Sequence, residues 1–149
     1  MITQEDLRSI ATDALEQLAF VMVTPTEAAD GADCRHATIS YSGAASGTVT
    51  LSTTMGFLRE LAAGLLGEEP EDVNPEDAEG ALLELGNIIG GSVIERLGAT
   101  DERYMLGLPS AASGPSTSSD ARTDLESMDG MLTVCWSGVA AGAADREAA

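Results

Sequence analysis

The chain has 149 residues, with 25 acidic against 7 basic side chains and a net charge of −18 at pH 7. This length favours a single domain with a substantial hydrophobic core. Such a negative charge repels phosphate backbones and anionic lipids, so we expect neither a nucleic acid nor a membrane as a partner.

Several kinds of site are excluded by residues that the sequence lacks. Cys34 and Cys135 are the only cysteines, too few and too far apart for a zinc motif or a disulfide framework. His36 is the only histidine, and we interpret it as a surface or hydrogen-bonded side chain. No phosphate-binding loop, dinucleotide fingerprint or metal cluster occurs, so no cofactor or metal site of its own is expected. No apolar run reaches the roughly 20 residues of a membrane span and no signal peptide is recognisable, which predicts a cytoplasmic protein.

The first third of the chain predicts a helix followed by strands. Apolar residues at helical spacing predict an amphipathic helix over residues 3–18, with Thr3 and Asp6 as a capping box in which Asp replaces the usual Glu. A short strand is predicted at 20–23 and a polar loop at 26–33. Alternating residues at 36–41 and 47–52 then predict an antiparallel hairpin with one polar face.

A second helix and an acidic linker follow this hairpin. Thr53 or Thr54 is placed to cap the helix, Gly67 to end it, and its apolar face includes Leu65 and Leu66. The linker 68–75 lacks the Asp-x-Asp-x-Asp-Gly pattern of a calcium loop, so we interpret its carboxylates as solvated.

The central helix is predicted over residues 74–97. Asn74 is a suitable N-cap, Pro75 fits the first helical position, and the acidic residues of the first turn complement the helix dipole. One side forms an apolar stripe that predicts packing against a core. Its members are Ala78, Leu82, Leu85, Ile89 and Val93.

The opposite side of the central helix is a polar strip. Its members are Asp77, Gly80, Glu84, Asn87, Gly91 and Glu95, with Ile88 at the margin. Glu84 and Asn87 are three residues apart and so point the same way. Two glycines in line with them leave bare backbone, which suits the close approach of another surface. The alternative is an ordinary solvated Glu84, a weak helix former at Asn87, and glycines that make helix–helix or helix–sheet contacts.

The last third predicts strands at 103–108 and 131–136, the second of which would bury Cys135. Residues 110–120 are expected to be irregular because they are rich in Ser, Gly and Ala. We expect one domain over residues 1–138 and a disordered acidic tail over 139–149. No internal repeat occurs, so a site would be present once.

Five stretches of the chain together resemble one protein family. They are Leu15-Glu-Gln-Leu-Ala-Phe20, Gly47-Thr-Val-Thr-Leu51, Leu65-Leu-Gly-Glu-Glu69, Glu84-Leu-Gly-Asn87 and Gly107-Leu-Pro109. Over residues 3–137 the chain is similar to the CheX branch of the CheC/CheX/FliY phosphatases of bacterial chemotaxis. The resemblance implies an α+β fold in which two long helices pack on a mostly antiparallel sheet and the central helix turns its polar strip outward.

The resemblance also implies an activity, hydrolysis of the phospho-aspartate of a CheY-like receiver domain. Glu84 would pair with the receiver's lysine, and Asn87 would orient the attacking water. The magnesium ion would belong to the receiver, and a homodimer joined through sheet edges is implied as well.

The resemblance further implies that the receiver would dock on this strip, on a surface formed by Asp77, Gly80, Ile88 and Gly91. The family usually has Asp or Ser four residues before the glutamate, where this chain has Gly80. This departure leaves open a non-catalytic module that binds a receiver or resembles a flagellar-switch component.

Overall fold

The computed structural model describes residues 2–19, 23–26, 34–43, 46–97, 104–107, 110–112, 120–127 and 130–139. Within these residues, three α-helices pack on a sheet of seven strands. In chain order the elements are α1 Gln4–Ala19, β1 Thr24–Pro25, β2 Cys34–Gly43, β3 Ser46–Thr54, α2 Met55–Leu66, a 3₁₀ turn Pro70–Asp72, α3 Pro75–Arg96, β4 Tyr104–Leu106, β5 Ser110–Ala112, β6 Ala121–Glu126 and β7 Met131–Val139.

Every strand pairing in the described sheet is antiparallel. The strand order is β1-β6-β7-β3-β2-β4, and β5 also pairs with β2. Ala37 lies opposite Leu51, which in turn lies opposite Val134, so these buried residues share one face of the sheet. The helices cover this face. The predicted α+β architecture is confirmed, with long helices α1 and α3 and a shorter α2.

The core lies between the sheet and the three helices, and it is mostly aliphatic. Leu7 and Leu15 of α1, Leu61 of α2 and Leu85 of α3 are fully buried. Each such side chain contributes about 1.5–3 kcal/mol relative to an exposed one. Helix α3 packs against α1, α2 and β2, so it contacts both of the other helices as well as the sheet.

Hydrogen bonds at the helix ends confirm two predicted caps. The Thr3 backbone N–H donates to Asp6 Oδ2 at 3.0 Å, and the Asp6 N–H donates to Thr3 Oγ1 at 3.1 Å, as a capping box requires. Thr54, rather than Thr53, caps α2, because its hydroxyl accepts from the Phe57 N–H at 3.3 Å. Gly67 ends α2 in the left-handed conformation, with φ of 70°.

Three strands differ from the sequence prediction. Strand β1, Thr24–Pro25, lies between the strand predicted at 20–23 and the loop predicted at 26–33, and it is paired with β6. Strand β6 was not predicted, because its inward side carries only one large apolar residue, Leu125, besides Ala121 and Thr123. Its pairing with β7 holds it in the sheet. Strand β5 lies in the stretch predicted to be irregular, where pairing with β2 orders three small residues.

The other predicted strands agree with the structure where it describes them. The hairpin of β2 and β3 is confirmed, β4 lies within the predicted strand, and β7 runs three residues past the predicted end. The strand predicted at 20–23 lies mostly outside the described residues, and Val23 is not in a strand. Residues 27–33 and 140–149, most of the predicted loop and tail, also lie outside them.

Candidate functional site

The N-terminal turn of α3 determines where the candidate site begins. Asn74 Oδ1 accepts a hydrogen bond from the Asp77 N–H at 2.8 Å, and Pro75 occupies the first helical position. Glu76 and Asp77 lie in the first turn, where the helix dipole favours negative charge. The predicted cap of the central helix is therefore confirmed.

Burial along α3 divides the helix into the two predicted sides. Ala78, Leu82, Leu85, Ile89 and Val93 are all buried, so this stripe faces the core. The other side faces outward. Its described members are exposed at Asp77, Gly80, Glu84, Asn87 and Glu95 and half-buried at Ile88 and Gly91. All six predicted site residues therefore lie on the outward strip of one helix.

Glu84 and Asn87 are neighbouring polar residues on this strip, one turn apart, and Asp77 and Glu95 are its other carboxylates. In the part of the chain that the structure describes, neither the Glu84 nor the Asn87 side chain makes a hydrogen bond or an ion pair. The carboxylate can bind a cation, and the carboxamide can both donate and accept hydrogen bonds. A carboxamide has no useful basicity, so Asn87 can position a water molecule but cannot deprotonate it.

The glycines of α3 have two different surroundings. A Cβ atom added at Gly80 or Gly91 would meet nothing within 4 Å in the part of the chain that the structure describes, so neither glycine is needed there for packing. The alternative interpretation of these two residues as helix–helix or helix–sheet contacts is therefore wrong. Gly86 is different, because its added Cβ would lie 2.6 Å from Ile39 Cδ1 of β2.

Gly86 was not singled out from the sequence, although it supports the site. It lies between Glu84 and Asn87 on the inward side of the helix and is buried against β2. A glycine at a buried position of a helix is the signal that would have found it, because such a residue allows close approach of another backbone or side chain.

Two grooves flank the strip. The first, here called the α2–α3 groove, has a volume of about 250 Å³. It is lined by Ala62, Leu65, Leu66, Glu76, Asp77, Gly80, Ala81 and Glu84. The second lies between α1 and α3 and has a volume of about 420 Å³. It is lined by Ile10, Asp13, Ala14, Gln17, Ile88, Ser92, Glu95 and Arg96.

The α2–α3 groove corrects one prediction from the sequence. Leu66 was assigned to the apolar face of the second helix, yet it is 51% exposed. It is the last residue of α2, beyond the part of the helix that the sheet and α3 cover. Its side chain lines the groove beside Glu84 instead of entering the core.

Other potentially reactive residues have ordinary surroundings. His36 Nδ1 lies 2.8 Å from Ser52 Oγ, which confirms a hydrogen-bonded histidine, and Cys135 is buried as predicted. Among the residues described, no group of three or more His, Cys, Asp or Glu side chains could hold a metal ion. None of the helices in the described residues combines the length and the apolar character that a membrane span requires.

Comparison with protein families decides the membership of the chain. The family model described as chemotaxis phosphatase CheX matches residues 35–129, well over half of the chain and including Glu84 and Asn87. The chain belongs to the CheX family. The match also includes β2, β3, α2 and α3, so this CheX-family chain shares both the site-bearing helix and the elements that support it.

Solved structures support the CheX fold independently. CheX from Desulfovibrio desulfuricans is similar with a TM-score of 0.68 and 17% identity, over 89% of this chain and 95% of that one. CheX from Vibrio vulnificus has a TM-score of 0.66 and 18% identity, over 87% and 93%. A chain of the CheX–CheY–BeF₃–Mg²⁺ complex from Borrelia burgdorferi has a TM-score of 0.66 and 15% identity, over 93% and 99%. No curated protein sequence matches the chain.

Proposed function

We propose that this CheX-family chain hydrolyses the phospho-aspartate of a CheY-like receiver domain. The observation that carries the proposal is the exposed pair Glu84 and Asn87, three residues apart on the outward strip of α3. Membership of a chemotaxis phosphatase family supports the reaction. The similar Borrelia burgdorferi CheX complex with CheY supports the class of partner.

In this proposal Asn87 reaches into the receiver's site and holds a water molecule in line with the phosphorus atom. An acyl phosphate is already an activated species, so positioning and electrostatics supply much of the remaining acceleration. Hydrolysis breaks the P–O bond to the aspartate, returns the receiver's carboxylate and releases inorganic phosphate. The magnesium ion that neutralises the phosphoryl oxygens would be bound by the receiver, and this chain would contribute no metal ligand.

Glu84 has a separate role in the proposal, which is to pair with the receiver's lysine. Its carboxylate lies one turn before Asn87 and is exposed, so a lysine can reach it without displacing a partner within the described residues. A charge-assisted hydrogen bond of this kind is stronger than a neutral one and fixes the register of the docked receiver. Asn87 is thereby brought to the phosphate.

The open backbone at Gly80 and Gly91 is consistent with close docking, because no side chain stands between the helix and an approaching surface. Gly80 also favours the second candidate function, a module that binds a receiver without hydrolysing its phosphate. Glycine offers no polar group at the position where the family usually has Asp or Ser. Turnover separates the two functions, because both predict binding and only the first predicts faster loss of phosphate.

The test is the rate of phosphate loss from CheY-type receivers of the same genome, labelled on aspartate, with the wild-type chain and two variants. We expect wild type to accelerate the loss for at least one receiver. Asn87→Ala is expected to lower kcat by about 100-fold because the water is no longer positioned. Glu84→Gln is expected to raise KM by about tenfold because the lysine loses its charged partner.

The matched control is binding of each variant to the same receiver loaded with beryllofluoride and Mg²⁺. Asn87→Ala should still bind, since Ala is the better helix former at this exposed position and the helix stays intact. Binding without any acceleration by the wild-type chain would refute hydrolysis and leave the receiver-binding module.

A further inference from the structure

The α2–α3 groove is open, apolar at its base and adjacent to the proposed catalytic pair. Leu65 and Leu66 at the end of α2 form one wall, and the first two turns of α3 form the other. Glu84 belongs to the groove lining as well as to the strip. A receiver whose lysine reached Glu84 would therefore place its neighbouring surface over this groove.

Two features make the groove accessible to a partner. An added Cβ at Gly80 would meet nothing within 4 Å, so the α3 wall is bare backbone where any other residue would project a side chain. Leu66 is half exposed, whereas most large apolar residues of the described chain are buried. An apolar side chain exposed beside an open groove is typical of an interaction surface.

Charge at the rim restricts what the groove accepts. Glu76, Asp77 and Glu84 line it, and among the described residues no Lys, Arg or His does. An anionic surface is repelled by this rim, whereas an apolar side chain that has a basic neighbour is attracted by it. The occupant therefore combines an apolar contact with positive charge, and a receiver lysine paired with Glu84 supplies that charge.

We propose that the α2–α3 groove binds an apolar side chain that the receiver carries beside its lysine, and that this contact selects which receivers the chain accepts. The proposal rests on the proposed function, since the receiver is the occupant. It assigns a binding role to Leu66 and Gly80 that is separate from the chemistry at Asn87.

The test compares three variants by KM, kcat and the Kd for the receiver loaded with beryllofluoride and Mg²⁺. Leu66→Ala removes the apolar wall, and we expect KM and Kd to rise about tenfold with kcat unchanged. Gly80→Met places a side chain in the groove, and because an added Cβ at this position would meet nothing within 4 Å, the same rise is expected. Met105→Ala is the matched control, because Met105 is also apolar and 72% exposed but lies on β4; less than a twofold change is expected.

The same measurements distinguish failure of the groove contact from failure of the proposed hydrolysis. Unchanged KM and Kd in Leu66→Ala and Gly80→Met would overturn the groove contact, while a loss of turnover in Asn87→Ala would still support hydrolysis. A fall in kcat alone would also overturn it, because a docking contact acts on binding. If the wild-type chain binds a receiver without turnover, a rise in Kd for Leu66→Ala supports the groove contact although hydrolysis is refuted.

Discussion

Glycine residues within α3 act in opposite ways according to what surrounds them. Gly80 faces open space, whereas a Cβ added at Gly86 would lie 2.6 Å from Cδ1 of Ile39, a side chain that is only 1% exposed. The same chemical change, addition of one methyl group, should therefore have opposite effects at two positions of one helix. Helix propensity decides the first case and packing decides the second.

We expect Gly80→Ala to raise the free energy of unfolding by up to about 1 kcal/mol, because Ala is the better helix former and meets no neighbour. Gly86→Ala should lower the free energy of unfolding, since overpacking a core costs about 1–3 kcal/mol and exceeds the gain in propensity. Urea unfolding of both variants against wild type measures the difference. Equal stability of Gly86→Ala and wild type would show that the sheet does not need close approach at this point.

At the scale of elements, an ion pair joins the start of α1 to the end of α3. Arg96 Nη1 donates to Asp6 Oδ1 at 2.7 Å, while Asp6 also completes the capping box of α1. Hydrogen bonds from the Thr3 backbone and hydroxyl, together with the Arg96 charge, hold the pKa of Asp6 below its usual range. One carboxylate thus serves the cap and the alignment of the two long helices.

This linkage predicts a pH dependence of stability. The pKa of Asp6 is lower in the folded than in the unfolded chain. Its contribution to the free energy of unfolding is therefore fully present above its pKa in the unfolded chain, and it is lost as pH falls through its pKa in the folded chain. We expect Asp6→Asn to lower the urea midpoint at neutral pH and the difference from wild type to shrink by about pH 3. Asp13→Asn, which removes an exposed carboxylate from the same helix, is the control and should change the midpoint less. If the difference in urea midpoint between Asp6→Asn and wild type does not vary with pH, the effect comes from the change of side chain and not from the loss of the charge.

At the scale of the whole molecule, the proposed catalytic surface and the sheet lie on different sides of the fold. The helices cover one face of the sheet, and the strip on α3 faces away from it. A second copy of the chain joined at a sheet edge would therefore leave the strip accessible. In the described residues, β1 pairs with only the last two residues of β6. Backbone groups left unpaired at the edge of a sheet can pair with a strand of a second copy.

We predict that the chain forms a homodimer in solution. Light scattering coupled to size-exclusion chromatography should then give twice the chain mass of 15.3 kDa, with a shift toward the single-chain mass on dilution. The mass of one chain at every concentration would refute the dimer without affecting the proposed chemistry at Asn87.

Much of the fold and the position of the site could be predicted from local signals. Asn74 and Pro75 begin α3, Thr3 and Asp6 begin α1, and alternating residues mark the hairpin, because caps and periodicity depend on a few neighbouring residues. Glu84 and Asn87 could be placed on one outward strip because α-helical spacing alone determines the direction of a side chain.

What lies beside that strip depends on packing between elements that are distant in the chain. Strand β6 exists because β7 pairs with it, and its own apolar signal is weak. Gly80 and Gly86 are both glycines of α3, yet their surroundings differ. Gly80 faces open space in the α2–α3 groove, whereas Gly86 packs closely against Ile39. The spacing of Leu66 predicts a core residue, but its side chain lines the α2–α3 groove instead. The helices, their caps and the outward direction of Glu84 and Asn87 follow from the amino-acid sequence, since these features depend on spacing along the chain. Burial and open space depend on residues distant in sequence, and only their packing decides them.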